Sequence, residues 1–180
     1  RTYPKGTDMA GQPLPTIADR MKKLGYLTGF SGKWHLGPLN STKPKHEPRA
    51  RGFDYYWTGT MNSGAANLTL DGKVADHHTK RDLPKGVANR VILQGKYGES
   101  FIEFSQNEEK PFFLYLSLYG PHIPLIQKSD PYYKNFPKLD YPHYDDWRDD
   151  RRRMGLALIK SIDDAVGGVM AKLREHGLEE

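Results

Sequence analysis

The sequence predicts an α/β fold, a doubly wound and mostly parallel sheet flanked by helices, of which this chain holds an incomplete part. Three observations carry that expectation. A capped amphipathic helix runs tightly into a short apolar strand near residue 26. An apolar run at 112–118 follows a second helical segment, and a striped helix closes the chain. Helix and strand alternating across short junctions is the pattern of βαβ units.

The first helix is set by Ile17, Met21 and Leu24, apolar at i, i+4 and i+7. Thr16 with Asp19 fits a capping box, and Gly25 supplies the stop. Residues 26–30 read as a short buried strand that runs into Ser31-Gly32-Lys33-Trp34-His35-Leu36-Gly37-Pro38, where glycines and a proline end regular structure. A helix followed by a strand is the second half of a βαβ unit, so a further strand is expected before residue 1. From 38 to 88 the chain reads as irregular, with Pro44, Pro48 and Pro84, and with short strands at 53–57 and 66–70.

A helix is predicted over 87–106, its core positions being Val91, Ile92, Phe101, Ile102 and Phe104, with Gly95 and Gly98 placed to break it in two. The run at 112–118, apolar on both faces, predicts a central parallel strand covered on two sides. It stops at Gly120-Pro121-His122-Ile123-Pro124, and 125–148 reads as a polar loop rich in Pro and Tyr. The last helix, 150–176, carries the stripe Leu158, Ile162, Ala165, Val169 and Leu173, with Lys160, Asp163, Asp164, Lys172 and Arg174 turned away. Gly167 and Gly168 each cost a helix interior roughly 1 kcal/mol against Ala, which predicts close approach to a sheet there.

Composition excludes several functions. The net charge of +5 is a modest surplus from scattered basic residues, and only Arg151-Arg152-Arg153 forms a run. Without a patterned basic face or a known module, no nucleic-acid binding is expected. The chain has no Cys, which removes disulfides, a zinc ribbon and a thiol nucleophile. No apolar run approaches the length of a membrane span. A mean hydropathy of −0.76 is low for a self-contained enzyme of this length, so some burial partners are expected to lie outside the chain.

In open α/β sheets, ligands sit beyond the carboxyl ends of the strands. Two segments leave strand ends here, and each holds a histidine. In an extended segment i and i+2 share a side, roughly 7 Å apart, so Lys33 and His35 would face together with Trp34 turned into the fold. A lysine and a histidine so placed make an oxyanion site; the same pattern also fits an exposed strand end anchored by a buried Trp. His122, bracketed by Pro121 and Pro124, suits general acid or anion-binding work and equally a satisfied core histidine. His77 and His78 fall in a polar loop, as solvated residues or as substrate contacts. His46, His143 and His176 read as structural or surface residues. The arginine run reads as a solvated helix start, with an anionic substrate as its alternative. Asn40-Ser41-Thr42 and Asn67-Leu68-Thr69 match the N-glycosylation acceptor pattern. Spacing alone proposes an anion site and leaves the reaction unnamed.

Gly32-Lys33-Trp34-His35-Leu36-Gly37 resembles the second signature of the type I, formylglycine-dependent sulfatases, members of the alkaline-phosphatase-like superfamily. The likeness runs in order along nearly the whole chain, through Leu14-Pro15-Thr16-Ile17-Ala18, Arg51-Gly52-Phe53-Asp54-Tyr55-Tyr56, Lys110-Pro111-Phe112-Phe113-Leu114-Tyr115, Gly120-Pro121-His122 and Ser161-Ile162-Asp163-Asp164-Ala165-Val166-Gly167. The resemblance implies that Lys33 and His35 bind the sulfate and the modified nucleophile. His122 would contact the sulfate or protonate the leaving alcohol. It further implies a formylglycine nucleophile made from Cys or Ser in a C/S-x-P-x-R motif, and a divalent cation, usually Ca2+, that holds the sulfate. The substrate would be a sulfate ester of a small molecule or glycan, and the family's usual setting is periplasmic, secreted or lysosomal.

The C/S-x-P-x-R motif, the upstream aspartate pair and the downstream Asp-Asn pair with its Lys are not among these residues. Residues 1–180 are therefore expected to be the central part of a single catalytic domain, inactive alone. A phosphodiesterase or phosphonate monoester hydrolase of the same superfamily, and a non-catalytic sulfate- or glycan-binding relative, are the alternatives.

Overall fold

The computed structural model describes residues 14–36, 47–60, 63–78, 83–140 and 145–179. Its elements are α1 (Ile17–Lys23), β1 (Leu27–Gly32), β2 (Tyr55–Thr60), β3 (Ser63–Leu68), β4 (Val74–His78), α2 (Arg90–Ser105), β5 (Phe112–Ser117) and α3 (Asp146–Glu175). Single turns of 3-10 helix lie at Pro48–Arg51 and Pro131–Asn135. The chain divides into two compact units, Arg1–Arg81 with Tyr97–Ser117, and Asp82–Lys96 with Leu118–Glu180.

The first unit is built on one sheet, with strand order β4-β3-β2-β1-β5. β1 pairs in parallel with both β2 and β5, whereas β3 runs antiparallel to β2 and to β4. The fold is thus a mixed α/β arrangement whose strands, β3 apart, share one direction. α1 starts where the capping pattern predicts: the Thr16 side chain accepts from the Asp19 N–H, and the Asp19 carboxylate accepts from the Thr16 N–H. β1 is buried along its whole length. Its neighbour β5 alternates as a pleated strand must. Phe113 and Tyr115 pack with Phe30 and Phe53 on one face, and Phe112 and Leu114 pack with Leu27, Leu68 and Phe101 on the other.

Three expectations need correction in this unit. β5 is not central: it is the end strand of the described sheet, and Tyr115 stays half exposed. The stretch 53–78 is not mostly irregular, because β2, β3 and β4 form consecutive antiparallel pairs there. His77 and His78 belong to β4, with His78 in register with Ala66, and so lie on an outer strand instead of a loop.

The second unit is helical. Asp145 caps α3 by accepting from the Arg148 N–H, and Leu158, Ala165 and Val169 of the predicted stripe are buried. α2 begins in this unit and continues into the first without the expected break. The physical reason is visible at Gly95, where a Cβ would lie 2.9 Å from the Ala165 Cβ and 3.1 Å from the Ala165 carbonyl oxygen. Gly95 thus lets α2 and α3 approach closely and does not interrupt the helix. Among the described residues, nothing lies within 4 Å of a Cβ placed at Gly167, so the close approach expected there is not seen. Asn89 ties the unit together from the start of α2. Its Oδ1 accepts from the N–H groups of Val91 and Ile92, while its Nδ2 donates to Ser161 at 2.9 Å and Asp130 at 3.3 Å.

Candidate functional site

The segment leaving β1 is held by the strand beside it. Gly32 pairs with Ser117, the Lys33 N–H donates to the Ser117 carbonyl at 2.7 Å, and the Ser117 hydroxyl donates to the Lys33 carbonyl at 3.1 Å. Gly32 adopts φ +135°, and a Cβ there would fall 1.9 Å from the Ser117 carbonyl oxygen. Only glycine satisfies both that backbone angle and that approach. Trp34 packs edge-on against Phe30, with centroids 5.2 Å apart, and against Phe53 at 6.1 Å. It is therefore turned into the fold as predicted, flanked by a half-buried Lys33 and an exposed His35.

The chain leaves β5 at Ser117, the register partner of Gly32, so both segments depart from the same edge of the sheet. Five residues further on, in the second unit, lies His122. Here the backbone is held by side chains. The buried Gln94 accepts from the Tyr119 N–H at 2.8 Å through Oε1. The Ile123 carbonyl accepts twice, from the Tyr119 hydroxyl at 2.6 Å and from His122 Nδ1 at 2.6 Å. A carbonyl has no proton to give, so Nδ1 carries the hydrogen and Nε2 is the nitrogen left to exchange one. The Tyr119 and His122 rings lie 5.6 Å apart. Neither Gln94 nor Tyr119 was singled out by the sequence; a polar residue on the helical segment and a tyrosine before a Gly-Pro turn are common in surface loops.

Other candidates are accounted for by structure. The arginine run serves the second unit's own packing. Arg151 lies over Trp147, Arg152 pairs with Asp149 at 2.9 Å, and Arg153 donates to the Phe136 carbonyl while lying over Tyr133. Asn67 is buried between strands, accepting from the Tyr56 N–H and donating to the Asp54 carbonyl. Asn40, His46 and His143 lie outside the described residues. A cavity of about 590 Å³ opens at the opposite, amino edge of the first unit's sheet. It is lined by Lys22, Arg49 and Lys110 together with Asp54, Glu108 and Tyr55, and includes neither Lys33 nor His35. Burial, reinforced by the charges of Glu108 and Asp54, raises the Tyr55 phenol above its ordinary value. Among the described residues, no helix is long and apolar enough to cross a membrane.

The Sulfatase family model matches residues 2–180. The chain is 31% identical over 150 residues to arylsulfatase G of Homo sapiens, covering 66% of this chain and 28% of that protein. It is 26% identical over 177 residues to N-acetylgalactosamine-6-sulfatase of Canis lupus familiaris, covering 91% of this chain and 30% of that protein. It superposes on the crystal structure of Ps i-CgsB with a TM-score of 0.63 at 22% identity, covering 96% of this chain and 40% of that one, a likeness of fold. The chain therefore spans 28% and 30% of the two curated relatives' length.

Proposed function

The chain belongs to the sulfatase family, with its alkaline-phosphatase-like fold, and on that premise we propose that the full-length protein hydrolyses a sulfate ester to an alcohol and inorganic sulfate. Lys33 and His35 bind the sulfate, the lysine as a charge and the histidine as a hydrogen-bond donor. His122 gives a proton to the oxygen of the departing alcohol as the S–O bond breaks. The observation that carries this reading is the register of β1 with β5. With Gly32 opposite Ser117, the chain leaves β1 and β5 at the same edge of the first unit's sheet, where ligands of such sheets bind.

Residues 31–36 and 117–124 contain no Asp or Glu. Hard divalent cations take oxygen ligands, carboxylates above all, so these residues do not fit the family's calcium ion; they fit its anionic substrate. The ion and the formylglycine are assigned to other parts of the full-length protein. The substrate is a sulfate ester of a small molecule or glycan, and the working compartment is periplasmic, extracellular or lysosomal. His77 and His78 are assigned to substrate contact, where alanine variants raise KM with kcat held.

The test is turnover by the full-length protein, of 4-nitrophenyl sulfate for Lys33→Ala and of a monosaccharide sulfate, whose alkoxide needs the proton, for His122→Ala. Lys33→Ala and His122→Ala are each expected to lower kcat/KM by at least about a hundredfold, with the circular dichroism spectrum unchanged. Near-normal rates in either variant would remove that residue from the reaction.

A further inference from the structure

The loop that carries His122 does more than hold a histidine in place. The Ile123 carbonyl has two lone pairs, and two side-chain donors reach it, the Tyr119 hydroxyl and His122 Nδ1, each at 2.6 Å. With one lone pair taken by the hydroxyl, the other is left in a defined direction for the imidazole. Tyr119 is itself anchored, its N–H donating to the buried Gln94. The hydrogen bond made by one ring nitrogen decides the protonation of the other, so the loop sets both the direction of the ring and its tautomer.

We propose that Tyr119 is a positioning residue for His122: by sharing the Ile123 carbonyl it keeps the ring in the Nδ1-protonated form and so reserves Nε2 as the proton donor to the leaving alcohol. The inference rests on the acid role assigned to His122 above. The step balances. The imidazolium loses its Nε2 proton to the alcohol oxygen as the bond to sulfur breaks, becomes the neutral Nδ1–H tautomer, and regains the proton from water before the next turnover.

The experiment compares two leaving groups in the full-length protein, because acid assistance matters little for 4-nitrophenolate and much for an alkoxide. Tyr119→Phe is expected to lower kcat about tenfold on a monosaccharide sulfate and less than about threefold on 4-nitrophenyl sulfate, with KM unchanged. In the wild-type protein, long-range 1H–15N spectra of His122 should show the neutral ring protonated at Nδ1, and the variant should show a mixture of tautomers. Equal losses on both substrates, or a wild-type ring protonated at Nε2, would overturn the proposal. The spectrum of the wild type decides the matter even where the variant fails to fold. His122→Ala separates the two levels. Full activity in that variant on both substrates sinks the acid role itself, and the positioning role with it. A crippled His122→Ala beside an unaffected Tyr119→Phe sinks the positioning role alone.

Discussion

The segment leaving β1 and the segment leaving β5 depart from paired residues, yet each is stiffened by a different means. After Gly32 the chain is held by backbone: strand pairing, the Lys33 N–H on Ser117, and a glycine whose missing Cβ is filled by the Ser117 carbonyl. After Ser117 it is held by side chains, with Gln94 gripping Tyr119 and Tyr119 sharing the Ile123 carbonyl with His122. A backbone lock tolerates no substitution at its glycine but is indifferent to most side chains around it. A side-chain lock can be taken apart one group at a time, and each loss should be graded.

Four substitutions test that contrast by chemical denaturation of the full-length protein. The largest effect belongs to Gly32→Ala, which adds both a strained φ and an impossible contact, and should cost more than about 3 kcal/mol. Gln94→Ala should cost about 2–3 kcal/mol, from a core vacancy and an unpaired Tyr119 N–H. Should Gln94→Ala prove more damaging than Gly32→Ala, the division between the two locks would be reversed. Ser117→Ala removes one hydrogen bond from the backbone lock and should cost about 1 kcal/mol; a loss above about 3 kcal/mol would mean that the lock is carried by its side chain after all. Tyr119→Phe should move stability by no more than about 0.5 kcal/mol, since its hydroxyl bond is exposed. A large destabilisation there would make Tyr119 a structural strut and not a residue that acts through His122.

The same contrast explains what was legible in the sequence. The backbone lock is written in residue types: Gly32, the Trp34 anchor and the capped helix before them each constrain a local conformation, and all three were readable. β4 was not, because Val-Ala-Asp-His-His on the outer strand of the described sheet needs little apolar patterning. β5 misled for the opposite reason. Its apolar run is consumed by aromatic packing on both faces, which says how the faces are covered and nothing about which strand lies beside it. Gly95 looked like a break because a glycine's cost within its own helix is local, whereas its compensation, Ala165, lies 70 residues away in sequence. Gln94 and Tyr119 matter through contacts that only the folded loop creates.

The amide of Asn67 has a consequence of another kind. Both ends of that side chain tether neighbouring backbone, and the residue is almost wholly shielded from solvent. In a cell that exports this chain through a glycosylating compartment, a transferase could reach the acceptor only on a nascent, unclosed polypeptide. An oligosaccharide attached at that asparagine would thus mark molecules whose sheet had never formed, and its abundance would serve as a readout of folding yield during secretion.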